Sequence, residues 1–360
     1  MKRPPDYIIF LVIILLMGLS VTMVFSATSI SAYVNYEDSF YFLKRQLTWV
    51  ALGLAVMILV ANVNYHRYLN WANYILLGSI ILLILVLIVG NEVNGSKRWL
   101  DMGIRIQPST IAKIAIIFYM ARYIHLAQDR IKKFWTGLMP ALAILGLFFV
   151  LILLEPDLGT AGTIAMTVVV MLVAAGARVL HLGGLAASGL PLFVFALMGE
   201  SYRRRRIFAF LDPWADPQGT GFHIIQSLYA LGSGGLFGVG LGHSKQKFFY
   251  LPEPGTDFIF AVLGEELGFV GSSVVLFLYL LLALRGLQIA MRAPDLFGSM
   301  LAVGITTWIV LQAIINIGVV TGSMPVTGIT LPFISYGGTS LIVMSASIGV
   351  LLNISRFCKK

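Results

Sequence analysis

The carboxylate best placed for acid–base chemistry is Asp257, which ends a segment containing proline and glycine and leads directly into a long apolar stretch. A carboxylate at the mouth of a helix bundle, beside apolar walls, tends to have a raised pKa and to act as a base near neutral pH. Asp257 could also cap the helix that follows, and by itself its position favours the cap. Glu265 and Glu266 lie about 80° and about 180° around the same helix from Asp257. Glu265 is therefore the better candidate for a second carboxylate above the same cavity.

Basic residues cluster in three loops that are predicted to lie on the same face as Asp257. The cluster consists of Lys97, Arg98, Arg203, Arg204, Arg205, Arg206, Lys245 and Lys247. Arginine suits bidentate recognition of phosphate, so these loops could together meet a ligand that carries a diphosphate. The four consecutive arginines could equally form a basic collar that touches phospholipid headgroups.

Lys113 is an ionisable residue inside an otherwise apolar stretch. A charge at that depth normally faces the interior of a helix bundle and has a partner. Asp157, between two later apolar stretches, is the most plausible partner. The pair could tie two helices together, or it could line a cavity that faces the substrate.

The sequence contains no strong metal or nucleotide motif. His223 and His243 are isolated, the single cysteine is Cys358, and no cluster has the spacing of metal ligands. A divalent cation, Mg or Mn, held by carboxylates and a diphosphate stays open as an alternative. The glycine-rich stretch 232–242 does not fit a phosphate-binding loop and is better interpreted as a hinge or a close-packed turn.

The elements that must position these residues are membrane-spanning helices. Of the 360 residues, 58% are hydrophobic and only 11% are charged, which excludes a soluble enzyme. The first apolar stretch is too long for a secretory signal and is interpreted as an uncleaved span. We predict an all-α polytopic membrane protein with about ten spans, at about 20 residues each. The predicted spans are 7–30, 47–63, 73–90, 108–126, 137–154, 160–177, 179–198, 259–284, 296–320 and 333–353.

The distribution of charge predicts the orientation of these spans. Lys and Arg residues of the short loops fall mostly on the side that carries both termini, which the positive-inside rule makes cytoplasmic. Of the 16 acidic residues, only Asp6, Asp129 and Asp295 fall on that side. We therefore expect one membrane domain, 1–360, whose large extracytoplasmic loop, 200–258, carries catalytic and substrate-binding residues. Within it, 222–231 could form a short amphipathic helix at the interface.

Several motifs of this chain, in order along its whole length, resemble the SEDS family of bacterial cell-wall proteins. They lie at 97–99, 107–109, 156–160, 246–253, 256–261, 325–328 and 331–338. The stretches 212–214, 221–227 and 324–330 look most like the FtsW/SpoVE branch of the family, with the RodA branch as the second choice.

The resemblance implies a peptidoglycan glycosyltransferase that polymerises lipid II at the outer face of the cytoplasmic membrane, in division at the septum or in sporulation. Asp257 matches the essential aspartate of the family, which reverses the preference for a cap. Its implied role is the general base that deprotonates the acceptor sugar of the incoming lipid II. The resemblance also implies binding of the nascent glycan strand and assembly with a class B penicillin-binding protein, a transpeptidase, and other divisome proteins.

Candidate substrate contacts are the basic cluster together with Lys113, Asp157, Glu253 and Glu265. The chain departs from the family pattern at three positions: Thr110 stands in place of Glu, Glu155 in place of Gln, and Gly255 in place of His or Gln. These departures put local contacts in question, and a carboxylate role at position 110 is not carried over. A lipid II flippase and a non-catalytic scaffold for the transpeptidase are the alternatives from other functional classes.

Overall fold

The computed structural model describes residues 4–93, 96–101, 103, 105–184, 187, 189, 199, 201–248 and 251–358. The α-helices of these ranges are numbered in chain order. The helices are α1 Tyr7–Tyr36, α2 Tyr41–Asn62, α3 His66–Val89, α4 Pro108–Ala127, α5 Met139–Leu154, α6 Leu158–Ala174, α7 Ser201–Leu211, α8 Phe222–Gly234, α9 Ile259–Arg292, α10 Leu296–Val320 and α11 Gly338–Ser355.

The prediction of an all-α polytopic membrane protein is confirmed. Within the described ranges, 8 helices are long and apolar enough to cross a membrane, and α6, with 17 residues, is a shorter apolar helix. Each of these nine overlaps a predicted span, although α2 begins at Tyr41 rather than at 47, α3 at His66 rather than at 73, and α9 ends at Arg292 rather than at 284. Most of the predicted span 179–198 lies outside the described residues.

The last predicted span begins later than expected. Helix α11 starts at Gly338 rather than at 333, because Pro332 and Phe333, whose φ is 62°, turn the chain out of helical geometry. The Ser20 hydroxyl of α1 donates to the Ile334 carbonyl at 2.8 Å, and Gln46 of α2 donates to Ser20 Oγ at 2.6 Å. Two spans thus hold an apolar segment as a loop inside the bundle.

Helix α1 is an integral part of the bundle. The Asp6 carboxylate caps it by accepting from the amides of Ile8 and Ile9. Its buried face, which includes Ile13 and Leu16, packs against α2 and α9. Helix α1 therefore belongs to the packed interior of the bundle.

A small sheet departs from the all-helical prediction. Strands β1 Asn91–Val93, β2 Ser96–Asp101 and β3 Arg105–Ile106 form an antiparallel sheet in the order β1-β2-β3. Successive side chains of a strand point to opposite faces. On β2, Lys97 is consequently exposed while Arg98 is half-buried and reaches the turn between α5 and α6.

The segment that follows α7 folds back onto the bundle. Helix α8 extends to Gly234, beyond the predicted 222–231, and it packs against α9 and α10 instead of lying alone at the interface. The glycine-rich stretch makes backbone-to-backbone contact with α9: a Cβ at Gly234 would lie 2.0 Å from the Gly264 carbonyl oxygen. The close-packed turn predicted from its glycines is therefore present, and only glycine fits there.

Candidate active site

Asp257 lies in the loop 251–258, directly before α9. The N-cap residue of α9 is Phe258, and no side chain caps this helix, so the alternative interpretation of Asp257 as a helix cap is wrong. Among the described residues, none donates a hydrogen bond to the two carboxylate oxygens of Asp257. This half-buried carboxylate is therefore available to a hydroxyl of a bound molecule.

Amide and hydroxyl side chains hold the loop that carries Asp257. Asn316 of α10 uses its Nδ2 to donate to the carbonyls of Asp257 and Ile329, both at 2.7 Å. Ser335 Oγ donates to the Thr256 carbonyl at 2.6 Å. Asn316 and Ser335 are buried, so these bonds are shielded from competition by water. The backbone at Asp257 is thus fixed from two sides.

Sequence reasoning missed Asn316, Ser335 and also Gln312, whose Nε2 donates to the Thr330 carbonyl at 3.0 Å. One signal was present in the sequence. Gln312 and Asn316 are amides four residues apart in an otherwise apolar span, which places them on one face of a helix.

The segment 325–330 is where the elements of the site converge. Arg206 of α7 donates to the Val326 carbonyl at 3.2 Å. Gly159, in the first turn of α6, packs against it so closely that an added Cβ would lie 3.1 Å from the Thr327 carbonyl oxygen. On its other side, a Cβ at Gly328, whose φ is +75°, would lie 3.6 Å from Asp257 Oδ2. This segment therefore separates the carboxylate of Asp257 from α6.

Neighbouring charges and burial shift the pKa of Asp257. Its pKa is raised to about 6, chiefly by burial and next by the negative charge of Glu253. The positive charge of Arg206 lowers this pKa. Asp157 and Arg98 exert smaller opposing effects on the same carboxyl group. A carboxyl group with this pKa is ionised at neutral pH and is still a stronger base than an exposed aspartate.

Arg98 and Asp157 organise the turn between α5 and α6. The Arg98 guanidinium donates to the carbonyls of Glu155, at 3.0 Å, and Pro156, and so satisfies carbonyl groups at the end of α5. The Asp157 carboxylate accepts from the Thr160 amide at 3.0 Å and caps α6. Both side chains also act electrostatically on Asp257.

Lys113 is buried in α4, as predicted, but its hydrogen bond goes to a different partner. Its Nζ donates to Gln312 Oε1 at 3.3 Å. Asp157 acts on it electrostatically without forming a direct ion pair. The predicted tie between Lys113 and Asp157 is therefore corrected to a Lys113–Gln312 contact, because the Asp157 carboxylate is used at the start of α6.

The arginines of the run point in different directions around α7. Successive residues of a helix point about 100° apart, and Arg203 to Arg206 lie in α7. Arg204, Arg205 and Arg206 are all exposed, and of these three it is Arg206 that donates a hydrogen bond to the site. The side chain of Arg203 lies outside the described part of the chain.

Glu265 and Lys247 are placed differently from their predicted positions at an open cavity. Glu265 is buried and accepts from the hydroxyl of Ser244, at 2.5 Å, and the amide of Lys245, at 2.9 Å. Lys247 is buried in an ion pair with Glu266, Nζ to Oε1 at 3.0 Å, and the same Nζ contacts Ser26 of α1. These positions favour a structural role for Glu265 and Lys247, because the segment 244–247 folds over the start of α9. Lys245 remains exposed.

In the described ranges, no group of three His, Cys, Asp or Glu side chains is arranged to hold a metal ion. His223 instead packs against the ring of Phe258, with centroids 5.7 Å apart.

Gly255 lies too close to α1 to carry a side chain without movement of its neighbour. A Cβ on Gly255 would lie 2.4 Å from Thr28 Cγ2 of α1. We expect Gly255→Ala to destabilise the protein by about 1–3 kcal/mol, because the buried loop is overpacked, and to lower activity by displacing Asp257. Thermal unfolding of the purified protein measures the first effect.

The matched control for Gly255→Ala is the double variant with Thr28→Ser. That second change removes Cγ2 and keeps the hydroxyl that bonds to the Val24 carbonyl. It should restore most of the lost stability. Equal destabilisation with and without Thr28→Ser would show that the contact with Thr28 is not the cause.

Comparisons with known proteins agree with this architecture. The family model described as "Cell cycle protein", and named for FtsW, RodA and SpoVE, matches residues 6–360. Stage V sporulation protein E of Bacillus subtilis (strain 168) is 48% identical, with 99% of each chain covered. The probable peptidoglycan glycosyltransferase FtsW of Geobacter metallireducens is 46% identical over 98% of this chain and 95% of its own length.

Solved structures show the same fold. A chain of a peptidoglycan synthase complex, described as coordinating polymerization and crosslinking, matches with a TM-score of 0.79 at 32% identity, covering 98% of both chains. Thermus thermophilus rod shape determining protein RodA matches with a TM-score of 0.73 at 30% identity, covering 99% of this chain and 98% of its own. The chain belongs to the FtsW/RodA/SpoVE family of multi-pass membrane proteins, the family that its motifs resembled.

Proposed function

We propose that this protein is a peptidoglycan glycosyltransferase that polymerises lipid II into glycan strands, with Asp257 as its general base. The observation that carries the proposal is the Asp257 carboxylate, which has no hydrogen-bond donor in the described part of the chain, a raised pKa and a fixed backbone. Relatives named as probable peptidoglycan glycosyltransferases support the reaction class.

In the proposed reaction, Asp257 accepts the proton of the 4-hydroxyl of the N-acetylglucosamine of the incoming lipid II. The oxygen attacks C1 of the terminal N-acetylmuramic acid of the growing strand, with inversion, and undecaprenyl diphosphate leaves. Cationic groups stabilise the charge that develops on the diphosphate. Arg206, Arg98 and the exposed Lys97 are the first candidates for this role. Arg203, Arg204, Arg205 and Lys245 are further candidates for binding the lipid-linked substrate, and Glu253 is a candidate for contacting its sugars.

The charge distribution supports an orientation in which both termini are cytoplasmic and residues 200–258 are extracytoplasmic. We infer that the polymerase works at the septum or in sporulation together with a class B penicillin-binding protein. The match to a chain of a peptidoglycan synthase complex supports such a partner. A role in elongation, as for a RodA-type polymerase, is the second candidate, and RodA structures share the fold.

A lipid II flippase is the competing function from another class. The buried polar group formed by Lys113, Gln312 and Asp157 favours it, because intramembrane polar residues mark transport paths.

The test uses the purified protein with its co-expressed transpeptidase and fluorescent lipid II. We expect glycan strands of many disaccharide units on a gel, and the same assay with a chelator reports metal dependence. Lipid II that crosses liposome membranes without being polymerised would instead favour the flippase. Absence of polymerisation by a folded complex would overturn the proposal.

The raised pKa of Asp257 predicts the acid limb of the pH profile. Only the ionised carboxylate accepts a proton, so kcat/KM should rise with pH through a midpoint near the pKa of about 6. Glu253→Gln removes a negative charge that raises this pKa, and should move the midpoint to lower pH. Initial rates between pH 4.5 and pH 8 measure both. A Glu253→Gln profile displaced to higher pH would contradict the assignment.

A further inference from the structure

Glu155, at the end of α5, is a carboxyl group that the proposed reaction does not use. It is 0% exposed, and neither of its carboxylate oxygens has a hydrogen-bond partner among the described residues. An ionised carboxylate that is buried without a partner is strongly unfavourable, so such a group keeps its proton. The geometry therefore makes Glu155 a neutral acid inside the bundle.

Arg98, the cation that acts on Glu155, does not form an ion pair with its carboxylate. Arg98 directs Nε to the carbonyl of Glu155 and Nη2 to that of Pro156, rather than forming a bidentate pair with the carboxylate. The Ser109 hydroxyl of α4 favours the ionised form, although it makes no hydrogen bond of good geometry. Burial, followed by the charge of Asp157, raises the pKa of Glu155 to about 8 against these two opposing influences.

A proton on Glu155 brings the charges that act on one another here into balance. Four carboxyl groups act on one another here, through Glu155, Asp157, Asp257 and Glu253. Three cationic side chains, Arg98, Arg206 and Lys113, act on the same carboxyl groups. A proton on Glu155 leaves three carboxylates facing three cations.

We propose that Glu155 is a positioning residue. Its bound proton keeps Arg98 and Asp157 in the arrangement in which both act electrostatically on the Asp257 carboxylate. Loss of this proton would add a negative charge beside Asp157 and draw Arg98 away from the carbonyls at the end of α5. Arg98 would then act less on Asp257 and on an anionic leaving group. Glu155 itself touches no substrate. This inference rests on the proposed function only for its effect on activity, because the bound proton is a property of the folded protein.

The first arm of the test is the alkaline side of the pH profile of polymerisation by the complex with the transpeptidase. If the bound proton is required, the wild-type rate should fall roughly tenfold between pH 7 and pH 9, since pH 9 is about one unit above the pKa of about 8. Glu155→Gln, the isosteric neutral variant, should lose this dependence, so that its ratio of rates at the two pH values stays near one.

The second arm measures the proton without activity, through thermal unfolding against pH. The pKa of Glu155 rises from 4.5 to about 8 on folding, so its contribution to stability is complete below about 4.5 and is lost as the pH rises to about 8. The Tm of the wild type relative to that of Glu155→Gln should therefore fall across this window. A Glu155→Leu variant, which also has no titrating group, provides the same comparison if Glu155→Gln does not fold.

If the alkaline limb persists unchanged in Glu155→Gln, another group, such as the buried cation Lys113, causes it. That result would overturn the proposal. A difference in Tm that does not vary with pH would overturn it as well. If no variant polymerises lipid II, the proposed function fails, while the unfolding arm still decides whether Glu155 carries a proton.

Discussion

Asp257→Asn is expected to abolish glycan synthesis, with a fall in kcat of about 10²–10⁴-fold, which is the usual contribution of a general base. The amide has the same shape as the carboxylate but cannot accept the proton of the acceptor hydroxyl. The backbone bonds from Asn316 and Ser335 do not involve the side chain that is changed. The loop should therefore keep its conformation, and Tm and lipid II binding should stay close to those of the wild type.

The measurement is the initial rate of polymerisation by the purified complex with its transpeptidase. Asp212→Asn is the matched control, because Asp212 is an exposed carboxylate of the same segment and is not among the charges that act on Asp257. It should keep the wild-type rate. Polymerisation by Asp257→Asn at a rate near that of Asp212→Asn would rule out Asp257 as the base.

Lys247→Met is expected to destabilise the protein by about 3–5 kcal/mol, because it leaves Glu266 as an unpaired charge in the interior. Lys247 and Glu266 are both buried, and Ser26 Oγ also donates to the Glu266 carboxylate, at 2.6 Å. The pair ties the segment 244–247 to α9 and to α1, shortly before the loop that carries Asp257. Activity should therefore fall together with stability.

A double-mutant cycle tests this role. Removing both charges, in Lys247→Met with Glu266→Gln, should cost less than the sum of the two single changes. Lys245→Met, two residues away at an exposed position, is the matched control and should change stability by less than about 0.5 kcal/mol. Thermal unfolding of the four variants gives the comparison. Additive effects at Lys247 and Glu266 would show that the buried pair is not a coupled unit.

The spans were the most predictable feature of this protein. A helix of about 20 apolar residues is one of the few structures that satisfies its backbone hydrogen bonds within lipid. Composition alone therefore identifies such helices. Helices α4, α9 and α10 begin at the predicted residues. The start of α11 was missed, because the loop before it is as apolar as a span and is held by Ser20 of another helix.

The candidate base was predictable in identity but not in environment. The motif around Asp257 singled it out, whereas the side chains that fix its backbone, Asn316 and Ser335, come from segments far away along the chain. For Lys247 and Glu265, the predicted contact with a substrate was wrong. Charged residues near the motif looked available to a substrate, but a buried partner on α9 or a backbone amide already satisfies each of them.

Read alone, the sequence determined that this is a polytopic membrane protein, the approximate positions of nine apolar helices and which carboxylate to test first. Only the tertiary structure decided which charges face the site, because that depends on partners brought together by helix packing rather than by spacing along the chain. Arg205 and Arg206 are both exposed, and it is Arg206 that donates a hydrogen bond to the segment beside Asp257. Likewise, the 0% exposure of Glu155 follows from the packing around the end of α5, and its desolvation is what retains the proton.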